Sequence, residues 1–512
     1  MTDKAQHTEK SGDNIAARTK EGILWTVFFD AIQFIIRFCG SIIVARILFP
    51  EDFGLMAIIS IILQLARRLT NFGFNMVLIQ HKEISNKHFE TAFVTNLFLM
   101  GILVTILFFG APFIADFFDN NKIELITRVI GFNFILEAFS SVQFAMLRRD
   151  MKFKKLESAN AISESVAILS PVGFAIAGLG VWSLVFGSIL GAITKLAVVT
   201  YHTRWIPKFK FYSRAFKDLF AFGAWIYIGS YIKYGINKID FFIVGKMLNA
   251  AQLGFYERAF NLMSFPRIQI AQKLNTVLFS AYSRIQDDNE RLVRGLLQII
   301  TYVSVITYPL MTWMFFAAPS LITVLFGSRW APSVYPFQVM CIAGVLDTLT
   351  LCLEPILLAR GLVGHRTRRD IIYLVILGSC VYFGIRWGIN GVAWGTTVAS
   401  VFRLALMLQI SVSNLGISAW KFFRVQISSI IYTSILALVL MLLQFLAKPY
   451  FQVDSWIMLI CTTVLSGIAL ISVHFIIRFK DVDEIFQELF AELKKFAAKL
   501  PIIKRIEFIT NK

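Results

Sequence analysis

Two stripes of polar residues interrupt the apolar sequence, and their spacing could serve a binding site. In the first stripe, Asp30, Gln33 and Arg37 recur at i, i+3 and i+7, which places them on one face of a helix. The second stripe begins at Gln64, and both stripes have polar counterparts 200 residues later. The residues expected to line a substrate cavity are Asp30, Arg37, Arg67, Asn71, Asn75, Lys233, Arg267, Lys273 and Asn275.

Cations outnumber acids within the apolar stretches, which suits an anionic ligand. Arginine suits phosphate best, because its planar guanidinium can donate two parallel hydrogen bonds. Arg67 and Arg267 are the strongest candidates, since neither has an acidic residue within four positions on its own helix. The alternative is structural: charges such as Asp30 and Arg37 could form buried ion pairs that fix helix packing.

The composition indicates which elements must carry these residues. Of 512 residues, 57% are hydrophobic, only 16% are charged and 50 are phenylalanine. Soluble domains have about 45–50% apolar and about 25% charged residues, so a soluble core cannot absorb this much apolar surface. The sequence therefore predicts a polytopic membrane protein.

Fourteen apolar spans can be placed between residues 22 and 478, since a helix needs about 20 such residues to cross a membrane. The formal net charge is +18, and Lys and Arg concentrate in alternate loops, as in Arg148–Lys155. By the positive-inside rule, these loops and both termini are expected in the cytoplasm. Residues 479–512 have apolar side chains at helical spacing, which predicts an amphipathic helix on the inner membrane surface or against a partner.

An internal repeat organises these spans. Ile43–Leu48 matches Ile243–Leu248, and the same offset of 200 pairs Arg67 with Arg267. Further along, an offset of 211 pairs Arg149 with Arg360 and Gly180 with Gly391. Six spans per copy is an even number, so the two copies should have the same orientation, with a pseudo-two-fold axis along the membrane normal.

The repeat predicts both the fold class and the domain organisation. We expect an all-α integral membrane protein with about 14 transmembrane helices: two parallel six-helix lobes around a central cavity, and two extra helices. The predicted divisions are a cytoplasmic N-terminus (1–21), an N-lobe (22–203), a C-lobe (204–413), helices 13 and 14 (414–478) and the tail (479–512).

Several kinds of chemistry are not supported by the sequence. The five cysteines lie in apolar stretches without a CxxC pair, and no HExxH motif or P-loop is present. The acidic run Asp287–Glu290 could suggest a metal site, but acids at a helix start are more typical of a cap. We therefore expect a transporter of the secondary type rather than an enzyme, with no cofactor.

Three segments give the sequence a family resemblance: Val44–Leu55, Met146–Phe153 and Tyr256–Pro266. They resemble bacterial polysaccharide exporters of the Wzx type, in the multidrug/oligosaccharidyl-lipid/polysaccharide flippase superfamily, and most closely the colanic acid and teichuronic acid exporters. The resemblance covers residues 20–475 and carries over no catalytic residues.

The resemblance implies a flippase that moves undecaprenyl-pyrophosphate-linked oligosaccharide repeat units across the bacterial inner membrane. The product would serve surface polysaccharide: lipopolysaccharide, capsule or exopolysaccharide. The expected partners are the lipid-linked oligosaccharide, membrane lipids and the polysaccharide polymerase and export machinery, and not nucleic acid. The alternatives are a multidrug or small-molecule exporter of the same fold, which would favour acids in its cavity, and a membrane glycosyltransferase or polymerase.

Overall fold

The computed structural model of the protein describes residues 25–26, 28–70, 78–79, 84–213, 216, 227–447, 449–476 and 483. For residues 69–70, 227–230 and 270–277 it describes the backbone alone. Two predicted cavity residues, Asn71 and Asn75, lie outside these ranges, as does nearly all of the predicted amphipathic tail. The described residues are helical apart from short turns and connecting segments, and they include no strand.

The helices follow one another along the chain in the order that the repeat predicts. The first copy contains α1 (Phe28–Ile47), α2 (Pro50–Thr70), α3 (Asn86–Phe117), α4 (Lys122–Arg149), α5 (Phe153–Ile176) and α6 (Val181–Thr203). The second contains α7 (Tyr227–Met247), α8 (250–284), α9 (Asn289–Phe326), α10 (Val334–Ala359), α11 (Val363–Gly384) and α12 (Gly388–Leu415). A short helix, Ala419–Arg424, then leads to α13 (Ile427–Ala447) and α14 (Trp456–Ile476).

The length and hydropathy of these helices agree with a membrane protein. In the described part of the chain, 10 helical stretches are long and apolar enough to cross a membrane, and one of them contains both α11 and α12. The helices α2, α7 and α8 are also long enough to span but carry more polar residues, which brings the number to fourteen. The predicted all-α integral membrane fold with about 14 helices is confirmed.

Local sequence explains where two of the helices begin. Ser85 precedes α3 in a capping box, in which its backbone N–H donates to Nδ1 of His88 at 3.2 Å. Asp288 precedes α9, and its carboxylate accepts a hydrogen bond from the backbone N–H of Arg291 at 3.0 Å. The acidic run at 287–290 therefore caps a helix, as its position predicted.

Helix α8 changes its winding in the middle. Its first segment ends at Pro266, and Arg267–Gln272 follow as a π-helical turn before Lys273–Arg284 resume the α-helix. Proline lacks a backbone N–H and cannot complete the regular hydrogen-bond ladder, which accounts for the irregularity at this point. The change of winding places Arg267 at the start of a widened turn.

The chain divides into two compact units, Met1–Glu257 and Arg258–Lys512. In the first unit, a core that includes Ala92, Phe93 and Val142 joins α3 to α4. In the second, Leu292, Leu296 and Leu353 are among the fully buried residues that join α9, α10 and α12. These units are groups of residues that contact one another, whereas the predicted lobes 22–203 and 204–413 were defined by the sequence repeat. The division into lobes stays a prediction.

Backbone geometry shows the repeat directly and refines its register. The N–H of Leu48 bonds to the carbonyl of Val44, and that of Leu248 bonds to the carbonyl of Val244, both at 2.9 Å and 200 positions apart. After α4 and α10, Met151 and Gly361 both have positive φ in matching turns, 210 positions apart. Gly180, before α6, has a φ of 53°, and Gly388, at the start of α12, has a φ of 65°. These two glycines of similar conformation are 208 positions apart. The offset of 211 inferred from the sequence is therefore wrong by one residue near Arg149 and by three residues at Gly180.

Within the first unit, α2 and the first turns of α8 approach through a reciprocal pair of glycines. A Cβ on Gly54 would lie 1.6 Å from the carbonyl oxygen of Ala250, and a Cβ on Gly254 would lie 2.0 Å from that of Pro50. These four residues are two repeat-related pairs, so each helix start makes the same contact with the other. This is the arrangement that a local pseudo-two-fold axis requires.

We predict that Gly54→Ala disrupts this contact, because a methyl group has no room between two backbones. Overpacking costs on the order of 1–3 kcal/mol where neighbours can shift, and a backbone oxygen shifts less readily than a side chain. Membrane abundance and the thermal unfolding midpoint in detergent should both fall. Gly101→Ala in α3, where nothing lies within 4 Å of the added carbon, is the matched control. Equal stability of the two variants would contradict the contact.

Two ion pairs join the connections at one end of the first unit. Lys122 contacts Glu51, and Lys246 contacts Asp119, each at 2.9 Å. The residues lie in or directly beside the connections α1–α2, α3–α4 and α7–α8. They therefore belong to alternate connections that share one end of the helices, the end that the positive-inside rule assigns to the outer face.

We predict that both termini and the loop after α4 lie in the cytoplasm. A cysteine that replaces Lys154 in a background without native thiols should react with a membrane-impermeant maleimide only after the cells are permeabilised. A cysteine that replaces Arg329, between α9 and α10, should react in intact cells. The reverse pattern would overturn the orientation.

Candidate functional site

Arg67 lies in the last turn of α2, and a neighbouring helix supplies its acidic partner. Its guanidinium contacts Oε2 of Glu137 on α4 at 3.1 Å and lies 5.8 Å from the ring centre of Phe134. The Arg67 side chain keeps 53% of its surface exposed, and Glu137 keeps 34%. A half-exposed guanidinium can accept a further anionic ligand.

Three more charged side chains lie around this pair. Arg37 of α1 contacts Glu164 of α5 at 3.8 Å, and both side chains are about half exposed. Lys195 of α6 interacts electrostatically with Glu137, Glu164 and Arg67. We call this set, contributed by five helices, the first charge cluster: Arg37, Arg67, Glu137, Glu164 and Lys195.

The second unit holds a different set, the second charge cluster. Arg267 donates to Oδ2 of Asp347 on α10 at 3.2 Å, and Arg403 of α12 lies 3.9 Å from the same carboxylate. The network continues through Glu354, which contacts both Arg403 and Arg366. The members of this cluster are Arg267, Asp347, Glu354, Arg366, Asp370 and Arg403, and their side chains are between 7% and 15% exposed.

The corrected register shows that the two clusters are built at equivalent positions. Arg67 and Arg267 are 200 positions apart, and Glu137 and Asp347 are 210 apart, the offset of the turns that follow their helices. Lys195 and Arg403 are 208 apart, the offset of the glycines that begin their helices. Each copy of the repeat thus places an arginine of its second helix against an acid of its fourth and near a cation of its sixth.

The structure brings together some of the predicted cavity residues. Arg37 and Arg67 belong to the first charge cluster and Arg267 to the second. Lys233 has an exposed side chain on α7, and its backbone carbonyl accepts a hydrogen bond from Asn237 at 2.8 Å. Asp30 is partly exposed on α1, and the side chains of Lys273 and Asn275 lie outside the described part. That Arg67 and Arg267 line one cavity stays a prediction.

The acidic partners of the arginines were not among the residues predicted to line the cavity. Glu137, Asp347 and Glu354 lie on other helices than the arginines they contact, so spacing along one helix could not find them. The signal that could have found Glu137 and Asp347 is the repeat itself, read at an offset of 210. The sequence left open that some of these charges form buried ion pairs that fix helix packing, and the buried Arg267–Asp347 pair is of this kind.

The arrangement supports anion binding better than covalent chemistry. Arginine and carboxylate side chains form both clusters, with one lysine in the first. Among the described residues no group of three or more His, Cys, Asp and Glu could hold a metal ion. In the first charge cluster three cations face two acids. The excess positive charge and the exposure of Arg37 and Arg67 suit a phosphate group that enters from a hydrated cavity.

A model of the family described as "Polysaccharide biosynthesis protein" matches residues 43–335, which is more than half of the chain. The chain belongs to this family. The match begins in α1 and ends at the start of α10, so it includes the whole first charge cluster except Arg37 and, from the second, Arg267.

Two curated relatives match this chain over most of their own length. The lipopolysaccharide biosynthesis protein WzxC of Escherichia coli (strain K12) is 23% identical over 83% of this chain and 89% of its own. The teichuronic acid biosynthesis protein TuaB of Bacillus subtilis (strain 168) is 24% identical over 69% of this chain and 74% of its own.

Solved structures show the same fold at low sequence identity. The lipid II flippase MurJ in an inward closed conformation has a TM-score of 0.68, 14% identity, and coverage of 88% of this chain and 98% of its own. An inward-facing multidrug resistance MATE family transporter of the MOP superfamily has a TM-score of 0.59 and 15% identity, over 76% of this chain and 96% of its own. The family member thus has the transporter fold that these two proteins share.

The difference in burial predicts different effects for the two equivalent arginines. Arg267→Ala leaves the buried carboxylate of Asp347 without the nearer of its two arginine partners, and breaking a buried pair by removing one partner typically costs about 3–5 kcal/mol. Arg67→Ala removes a half-exposed contact, and such pairs contribute about 0–1 kcal/mol. We expect a clear fall in the unfolding midpoint in detergent for the first variant and little change for the second. A larger destabilisation by Arg67→Ala would contradict this assignment.

Proposed function

We propose that the protein is a flippase that translocates undecaprenyl-pyrophosphate-linked oligosaccharide repeat units across the cytoplasmic membrane for surface polysaccharide biosynthesis. Membership of the polysaccharide biosynthesis family supports the polysaccharide. The relatives WzxC and TuaB are named for the biosynthesis of lipopolysaccharide and of teichuronic acid. The fold supports transport, since it is also that of a lipid flippase.

The exposed, cation-rich first charge cluster is the observation that carries the proposal. A pyrophosphate offers oxygens to several donors at once, and a charge-assisted hydrogen bond contributes about 1.5–3 kcal/mol. Arg37 and Arg67 are each about half exposed, so a ligand can reach them without unfolding the helices. Lys195 adds a third positive charge beside them.

The acids of this cluster have a role in the proposal as well. Glu137 holds Arg67, and Glu164 holds Arg37, so that neither guanidinium is an isolated charge when no substrate is bound. A phosphate would compete with these carboxylates for the same donors. Binding is then an exchange of one anion for another, which limits affinity and permits release on the far side of the membrane.

A multidrug exporter is the second candidate that the fold allows, since a MATE transporter has it too. A cationic drug needs available carboxylates. In the first charge cluster, Glu137 and Glu164 each contact an arginine, and the cations are in excess. The charge balance therefore favours the anionic lipid substrate.

We predict that Arg67→Ala reduces polysaccharide export at least about tenfold while the protein stays at its normal abundance, since losing one charge-assisted hydrogen bond suffices for a factor of that size. Arg67→Lys should restore export only in part, because lysine keeps the charge and loses the planar fork. The measurement is surface polysaccharide in a deletion strain that carries each variant, together with the lipid-linked oligosaccharide retained on the inner leaflet.

Arg128→Ala is the matched control for this experiment. Arg128 also lies on a spanning helix and contacts a carboxylate, that of Glu124 at 2.7 Å, but it is not part of the first charge cluster. Export should be normal in the control. Normal export by Arg67→Ala at wild-type abundance would remove the cluster from the substrate site.

A further inference from the structure

The first unit contains a cavity of about 450 Å³ between α2, α5 and α6, with Glu257 of α8 at its edge. We call it the α5–α6 cavity. Its volume falls within the range of about 300–1,000 Å³ that is usual for small-molecule sites. All of its lining residues belong to the first unit, so it is a feature of that unit alone.

The polar groups that line this cavity are hydroxyl, amide, carboxylate and ammonium groups. Asn160, Ser163 and Ser188 line it together with Glu164, Glu257 and Lys195. Hydroxyl, amide and carboxylate groups together both donate and accept hydrogen bonds. A ligand with many hydroxyl groups could form hydrogen bonds with these polar groups, since each hydroxyl donates one hydrogen bond and accepts others.

The cavity also has an apolar lining. Phe53 and Met56 of α2, Pro171 of α5 and Leu184 of α6 contribute to it. A pyranose ring has the same division, with hydroxyl groups at its edge and C–H groups on its faces. The charge of the lining also limits the ligand. Glu164 is paired with Arg37, and the other two charged lining residues, Glu257 and Lys195, have opposite signs, so the cavity offers no excess positive charge to an acidic sugar.

Contacts within the protein hold several of these polar lining groups in place without a ligand. Glu164 is held by Arg37, and the hydroxyl of Ser188 accepts a hydrogen bond from Nδ2 of Asn133 on α4 at 2.8 Å. Ser163 is almost completely buried, and its hydroxyl bonds to the backbone carbonyl of Asn160 at 3.0 Å. Fixed partners of this kind reduce the entropy that a ligand must overcome on binding.

The cavity adjoins the phosphate site through two shared residues. Glu164 and Lys195 line the α5–α6 cavity and also belong to the first charge cluster, where Lys195 interacts with Arg67. In a lipid-linked oligosaccharide, the first sugar is bonded directly to the pyrophosphate. A pyrophosphate on Arg67 would therefore place that sugar near Glu164 and Lys195, which line the cavity.

We propose that the α5–α6 cavity binds a neutral, hydroxyl-rich sugar of the lipid-linked oligosaccharide, while Arg67 and Arg37 bind the pyrophosphate. This inference rests on the proposed function and extends it. The cavity makes the first unit selective for the glycan, whereas the first charge cluster recognises only the phosphate that every such lipid carries.

The test uses the purified full-length protein and measures the affinity of defined lipids. The probes are undecaprenyl pyrophosphate, its conjugates with glucose, galactose and N-acetylglucosamine, and its conjugate with glucuronate. We expect at least one neutral conjugate to bind about tenfold more tightly than undecaprenyl pyrophosphate. The glucuronate conjugate should gain nothing over undecaprenyl pyrophosphate.

Two variants change the cavity in different ways. Ala192→Leu fills it from α6, and Asn160→Ala removes an amide without adding volume. Both should lose the gain from the sugar and keep the affinity for undecaprenyl pyrophosphate within about twofold. Ala197→Leu is the matched control, because Ala197 lies on the same helix with an exposed side chain and does not line the cavity.

The outcomes separate this inference from the function on which it rests. If wild-type protein binds undecaprenyl pyrophosphate but no neutral conjugate binds more tightly, the sugar assignment is overturned and the proposed phosphate site stands. An equal loss for all lipids in both cavity variants, with the Ala197→Leu control normal, also overturns it. If wild-type protein binds none of the lipids, the proposed function fails and this inference fails with it.

Discussion

Charged side chains that lie within membrane-length helices need partners, and this requirement governs much of the structure. A lone charge at the centre of a bilayer costs about 2.5–3.5 kcal/mol on insertion scales, so such groups face water or one another. Here the second helix of each repeat supplies an arginine and the fourth helix supplies the acid: Arg67 with Glu137, and Arg267 with Asp347. The pairs join helices that are not neighbours in sequence. They therefore contribute to helix arrangement in each unit as well as to any ligand site.

The two copies of the repeat have adapted this pair differently. In the second unit, Glu354 of α10, Arg403 of α12 and the α11 residues Arg366 and Asp370 enclose it, and its members are at most 15% exposed. In the first unit the same positions are open, and Lys195 stands where Arg403 stands in the second. An enclosed network with balanced charge suits packing, whereas an exposed one with excess positive charge suits an anion. The same repeated arrangement is thus enclosed in one unit and exposed in the other.

The sequence predicted the fold more fully than the site, for a physical reason. Membrane-length apolar spans, the match of Arg67 to Arg267 and the glycines Gly54 and Gly254 are properties of local sequence, so the helix count and the repeat could be read directly. An ion pair such as Arg67–Glu137 depends on how two helices pack, which residue spacing within one helix does not report. The register also drifted: Gly180 corresponds to Gly388 in backbone conformation, whereas sequence similarity had matched it to Gly391. A shift of three residues rotates a helix by most of a turn and hid the correspondence of Lys195 with Arg403.

The exposure of the first charge cluster fits the reversible binding that the proposed function requires. A transporter must bind its substrate on one side and release it on the other, so the binding residues must exchange partners at low cost. An exposed pair such as Arg67–Glu137 contributes about 0–1 kcal/mol, so a phosphate can displace Glu137 and Glu137 can later displace the phosphate. In a buried pair such as Arg267–Asp347, losing one partner typically costs about 3–5 kcal/mol, so this pair is less suited to repeated exchange. The same ion pair can therefore hold helices together when it is enclosed, and exchange ligands only when water reaches it.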